Sequence, residues 1–248
     1  MLRTLGIVEA CYESDRARCR AARKLDGKSV LEWVVRRATD CQQLDGVIVV
    51  TNNAPGNHLV SKLVPPDVPI FVGQHADPLG CVGAALEEYP TESAVRICAK
   101  WPFLDPTLVD RLVRAAWGQG DCDYATYCSR DGRPAFLSPV GMHIEWFRTR
   151  VLREVCRRAK SEADRREVTR YIYHRPHKFG IRLIPAPEQI DRDDIRLTVD
   201  IEEDWEHTLT IYEALGPDLD WRRIVDLLDH QPALRSRMAA LNRVQSKG

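Results

Sequence analysis

The chain has no charge of one sign to spare: Lys plus Arg and Asp plus Glu each number 36 in 248 residues. Without a basic excess it cannot neutralise a long run of phosphates, which argues against nucleic acid or a membrane surface as its general partner. No apolar run approaches the roughly 18 residues of a membrane-spanning helix. The first one breaks at Glu9, so the start does not read as a secretory signal. Eight cysteines are present, yet none forms a C-x-x-C pair. The expectation is free thiols, several buried in strands, in a cytoplasmic protein. Internal repeats and low-complexity segments are absent. The glycine-rich loops of Walker and Rossmann sites are missing as well.

What is present is alternation. "LGIVEA" (5–10), "GVIVVTN" (46–52), "PIFVG" (69–73), "AVRICA" (94–99) and "CDYATYC" (122–128) read as strands. The second is β-branched and apolar throughout, as a strand buried on both faces should be. Between them lie helical segments: "SVLEWVVRRATDC", opened by a Ser29/Glu32 capping box, then "PGNHLVSKLV", "PLGCVGAALEEY" and "PTLVDRLVRAAW". This order predicts an α/β protein with a mainly parallel, doubly wound sheet. "RPAFLSPVGMHIEWF" (133–147) reads as a hairpin or excursion with exposed apolar residues. The charged stretch after it reads as one long helical region, its arginines a solvated face or a phosphate or partner site. "IRLTVD" (195–200) returns to strand, "EEDWEHTLTIYEALG" is a helix, and 221–248 is a helical tail.

In open α/β sheets, ligands bind outside the carboxyl ends of the strands. That singles out four loops: 11–27, 52–57, 100–105 and 200–204. The first, "ACYESDRARCRAARKLDGK", is rich in arginine around Ser14 and Asp15. Guanidinium forks bind phosphate oxygens bidentately, so the loop is either a cradle for a polyphosphate or an exposed basic loop. Lys100, in "AVRICAKWPFLDP", puts a fixed cation at a strand end.

These stretches together resemble the spore-coat polysaccharide cytidylyltransferase family, relatives of the CMP-Kdo and CMP-sialic acid synthetases. "EACYESDRARCR" and "LDGKSVLEWV" stand where the family reads A-R-x-x-S-x-R-L-P-G-K and L-x-G-K-x-L-L-E. "VRICAKWPFLDPTLVDRLV", "CDYATY", "PVGMHIEWF", "EVTRYIY" and "IRLTVDIEEDWE" follow in the family's order, over about residues 4 to 215. The resemblance implies a three-layer nucleotide-diphospho-sugar transferase fold over 1–220, with 133–190 as a dimerisation arm of a homodimer. It also implies transfer of CMP from CTP to an acidic sugar, with release of pyrophosphate and a need for Mg²⁺.

Carried over residue by residue, the resemblance gives Ala10, Ser14, Arg16, Arg18 and Arg20 to nucleotide and phosphate binding. It gives Arg96, Gly141, Glu145 and Arg196 to the substrate, and Lys100 and Asp200 to catalysis. Asp200 stands at the second metal-binding aspartate, with Asp204 behind it; the first is Lys100. The family's first arginine is Cys11, its loop glycines are Glu13 and Cys19, and its loop lysine is Arg20. Its R-E-H-V-T signature survives as "RREVT". Lys100 then pairs with Asp200 without an ion, contacts a phosphate, or is simply solvated. The implied activity is accordingly altered or lost, the alternative being a non-catalytic module that binds a nucleotide, a sugar or a protein.

Overall fold

The computed structural model describes residues 2–12, 14–118, 120–138 and 140–245; Glu13 lies outside them. The β-branched run Gly46–Asn52 is a strand buried on both faces, flanked by strands of the same character, so a sheet must be covered by helices on each side. In chain order the elements are β1 (Leu2–Glu9), α1 (Asp15–Ala22), the short hairpin β2 (Lys24–Leu25) and β3 (Lys28–Ser29), α2 (Val30–Thr39), β4 (Gly46–Asn52), β5 (Ile70–Gly73), α3 (Pro78–Glu88), β6 (Thr91–Cys98), α4 (Pro106–Trp117) and β7 (Tyr124–Cys128). The second half adds β8 (Ile144–Arg148), α5 (Thr149–Arg158), α6 (Glu162–Arg166), α7 (Arg170–Tyr173), β9 (Ile181–Pro185), α8 (Glu202–Leu215), α9 (Trp221–Asp229) and α10 (Pro232–Gln245).

Seven strands form one sheet in the order β5-β4-β1-β6-β8-β7-β9. Only β8 runs against its neighbours. Alternate residues sort the two cores: Val8 and Ala10 of the β1 segment face α2, α4, α9 and α10, whereas Leu5 and Ile7 face α3, α5 and α7. The caps follow the sequence. Ser29 Oγ accepts from Glu32 N at 3.0 Å to start α2. Asp105 and Asp77, each before a proline, cap α4 and α3. All eight cysteines are free thiols.

Three expectations for the second half are corrected. The stretch 133–147 is no exposed excursion: β8 inserts between β6 and β7, and Ile144, Trp146 and Phe147 are fully buried. Leu137 is its exposed large apolar side chain. The expected long helix is three helices, broken before Ser161, which caps α6, and again before α7. "IRLTVD" is not a strand; the seventh strand is Ile181–Pro185. The 195–199 backbone is tied by other means: Val199 N donates to Lys100 O at 3.1 Å, and Asn242 Nδ2 donates to Ile195 O at 3.0 Å. Asn242 belongs to α10, whose Leu234 and Met238 are buried in the core, so the tail is part of the packed body. Among the described residues no helix is long and apolar enough to cross a membrane.

Candidate functional site

Because β1, β4 and β6 run parallel, their carboxyl ends lie on one side of the sheet, and the chain leaves there into the loops at 10–14, 53–57 and 99–105. Ala10 is a fixed point of the first loop. Its N–H donates to Val50 O at 2.8 Å, and its carbonyl accepts from Thr51 Oγ1 at 3.0 Å. Both backbone groups are therefore engaged, and Ala10 is not a phosphate donor as expected. Ser14 is the N-cap of α1, its Oγ accepting from Ala17 N. Arg18 does not face a ligand either. It is paired with Asp15, and its Nη1 donates to Tyr12 O at 3.2 Å and Asn57 Oδ1 at 3.3 Å. A Cβ at Gly56, whose φ is +87°, would lie 2.6 Å from Arg18 Nε, so the close approach of this strut requires glycine.

Arg16 and Arg20 do face a cleft of about 340 Å³, lined also by Cys19, Arg23, Asp200, Ile201 and Glu202. Across it, Arg23 is ion-paired with Glu202 and lies over the Trp205 ring. Lys100 Nζ stands 3.3 Å from Asp200 Oδ1. Lys100 and Arg20 further line a small adjoining cavity with Tyr12 and Ala99. Burial pushes the Asp200 carboxyl up, but the Lys100 ammonium and the neighbouring His143 outweigh it and hold it below the ordinary aspartate value.

Arg196 lies beneath this turn and reaches no ligand, against the expectation that it binds substrate. Arg196 and Asp204 are both buried. Arg196 grips Asp204 bidentately, Nε to Oδ1 at 2.5 Å and Nη2 to Oδ2 at 2.9 Å. The same Oδ2 accepts from Asp200 N at 2.9 Å and Ile201 N at 3.1 Å. Asp204 thus orients the turn that aims Asp200 at Lys100, and Asn242 of α10 closes the arrangement from behind.

Arg96 and Glu145 are cross-strand partners on β6 and β8. Arg96 is ion-paired to both Glu145 and Glu9. Tyr124 Oη donates to Glu145 at 2.5 Å, and the Thr169 hydroxyl of the "RREVT" stretch donates to the same oxygen. Burial opposes the guanidinium charge, but the two carboxylates hold Arg96 protonated far more firmly than usual. A fully buried, fully bonded Glu145 is a structural ion pair and not a substrate contact. Gly141 is likewise a packing position. Its φ is +88°, and a Cβ there would stand 2.9 Å from Thr198 Cγ2 and 3.3 Å from the 197–198 backbone.

His143 was not foreseen from sequence. It precedes β8, and its carbonyl accepts from Cys98 N. Burial lowers its imidazole to about 4, with Asp200 opposing and Arg96 and Lys100 reinforcing the shift. The ring is neutral at neutral pH, and protonation below about 6.5 favours the unfolded chain. Stability should therefore fall between about pH 6.5 and 4, by an amount on the order of 2 kcal/mol. Urea melts at neutral pH and near pH 4.5 read this, and His143→Gln should reduce the loss. Equal losses in both proteins would show that His143 is not responsible.

A divalent ion does not fit this site. Mg²⁺ demands several hard oxygen ligands in octahedral array. Here a single aspartate faces an ammonium 3.3 Å away. Among the described residues no group of three His, Cys, Asp or Glu side chains could hold a metal.

The comparisons with known proteins agree with this architecture. Residues 14–178 match the family described as "MobA-like NTP transferase domain". The chain is 27% identical over 237 residues to an uncharacterized protein of Methanocaldococcus jannaschii, covering 95% of this chain and 94% of that one. It is 25% identical over 236 residues to the spore coat polysaccharide biosynthesis protein SpsF of Bacillus subtilis, covering 92% and 95%. A cytidylyltransferase from Leptospira borgpetersenii superposes with a TM-score of 0.84 at 20% identity, over 94% of this chain and 97% of that one. A CMP:2-keto-3-deoxy-manno-octonic acid synthetase, solved with CTP, superposes with a TM-score of 0.64 at 14% identity, over 86% and 99%. The sheet with its two helical layers is thus the nucleotide-diphospho-sugar transferase fold, and the chain belongs to the MobA-like NTP transferase family.

Proposed function

We propose that this protein is a cytidylyltransferase-like member of surface-polysaccharide or sugar-acid metabolism whose metal-dependent chemistry is altered or lost. The observation that carries the reading is the Lys100–Asp200 ion pair, set beside the arginine-lined cleft at the carboxyl ends of the parallel strands. CTP or CMP and an acidic sugar are its expected ligands, in the cytoplasm. The kinship with SpsF supports the polysaccharide setting. The homodimer stays within the proposal, on altered grounds: β9 is an open sheet edge and carries exposed Leu183. Light scattering that returns a monomer at micromolar concentration would remove that part.

The alternative is a non-catalytic module for a nucleotide, sugar or protein, and the cation at position 100 favours it. The test is product formation from CTP and a panel of acidic sugars, with Mg²⁺ or with EDTA. A CMP-sugar that forms at equal rate in both supports an active, metal-indifferent enzyme. Absence of product with every sugar, alongside retained nucleotide binding, selects the module.

A further inference from the structure

The charges lining the cleft do not cancel. Arg16, Arg20 and Arg23 come from the first loop and helix, Asp200 and Glu202 from the opposite turn, and Lys100 reaches in beside Asp200. Four cations against two carboxylates leave a surplus of two positive charges. Arg23 is answered by Glu202, and Lys100 by Asp200. Arg16 and Arg20 carry the surplus, with no ion pair among the described residues. They sit four residues apart on α1, where like charges disfavour the helix. That arrangement is relieved by an anion between them.

We propose that this cleft binds a phosphate monoester dianion without a divalent ion, as carried by a nucleoside monophosphate or a sugar phosphate. Its two negative charges match the surplus. A free nucleoside triphosphate brings about four and would leave the cleft over-filled with negative charge. The usual remedy, a bound divalent cation, is closed here because Lys100 stands against the one carboxylate that could hold it. Two guanidinium forks suit the three terminal oxygens of a monoester. The nucleoside form of the ligand rests on the function proposed above; the phosphate and the exclusion of metal do not.

Calorimetry with CMP, glucose 1-phosphate, CTP and sulfate, each with EDTA or with millimolar Mg²⁺, tests this. CMP or glucose 1-phosphate should bind more tightly than sulfate, with an affinity that Mg²⁺ leaves unchanged, and the tighter of the two names the source. CTP should gain nothing from Mg²⁺. The Arg16→Gln, Arg20→Gln double variant should lose about ten-fold in affinity. These are exposed or half-exposed positions, and circular dichroism with an unchanged melt establishes that the variant is folded. Three results overturn the proposal: CTP bound about ten-fold more tightly with Mg²⁺, equal affinity for sulfate and both monoesters, or a double variant that binds like wild type. Metal-independent binding of glucose 1-phosphate alone, without any CMP-sugar product, would sink the cytidylyltransferase reading and leave this one standing. Mg²⁺-dependent turnover of CTP would do the reverse.

Discussion

Lys100→Asp should turn a protein indifferent to Mg²⁺ into one that depends on it. The substitution replaces an attraction by two carboxylates facing each other on the end of β6 and the turn at 200. Lys100 and Asp200 are both partly exposed, which weakens each term, so the attraction lost and the repulsion gained are about 1 kcal/mol apiece. In EDTA the variant should therefore melt roughly 4–8 °C below wild type. Convergent carboxylates are also the start of a hard-cation site. Mg²⁺ at about ten times the dissociation constant of such a site returns about 1.4 kcal/mol, recovering most of the loss. Wild type should show no Mg²⁺ response. Melts of both proteins in Mg²⁺ and in EDTA decide it without any substrate. If the variant melts alike in the two buffers, the two side chains do not converge in solution.

Asp204→Ala should be the most damaging single change near the cleft. It strips a buried guanidinium of its bidentate partner and takes the acceptor from the Asp200 and Ile201 amides in one step. Leaving a buried charge uncompensated costs about 3–5 kcal/mol, or a melting temperature lower by roughly 10 °C or more. Arg196→Met with Asp204→Ala should recover part of this, because the unpaired charge leaves with its partner. A double variant no more stable than Asp204→Ala alone would place the loss elsewhere in the turn.

The first half of the chain was legible because its strands are bounded β-branched runs and its helices carry their own caps. Ser29, Asp77 and Asp105 fix helix starts from local chemistry. The second half hides its meaning in partners distant in sequence. Glu145 in the middle of "HIEWF" reads as a surface residue, and only the pairing with Arg96, 49 positions earlier, allows β8 to be buried. "IRLTVD" has ideal strand composition, yet Lys100 and Asn242 take its backbone groups before any ladder can. The same holds for the site. The convergence of Lys100 and Asp200 follows from the resemblance to a known family, whose two motifs fall at those positions. Arg18 and Arg20 are indistinguishable in a run of arginines until Gly56 and Asn57 claim one of them. His143 gives no signal at all, since nothing near it in sequence shows that Asp200 and Lys100 will approach it.

The antiparallel strand imposes an order on synthesis. β5, β4, β1 and β6 are complete once the chain has reached residue 98, and can zip together as neighbours while the ribosome is still working. β7, made next, has no place to go: its seat is separated from β6 by a strand that is not translated until residues 144–148. For that interval β6 is a bare edge and β7 a loose apolar segment, the state in which nascent chains associate wrongly. The arrival of β8 closes both at once and brings Glu145 to the waiting Arg96. Slow codons or a chaperone pause between residues 98 and 144 would therefore leave the growing chain at its most adhesive.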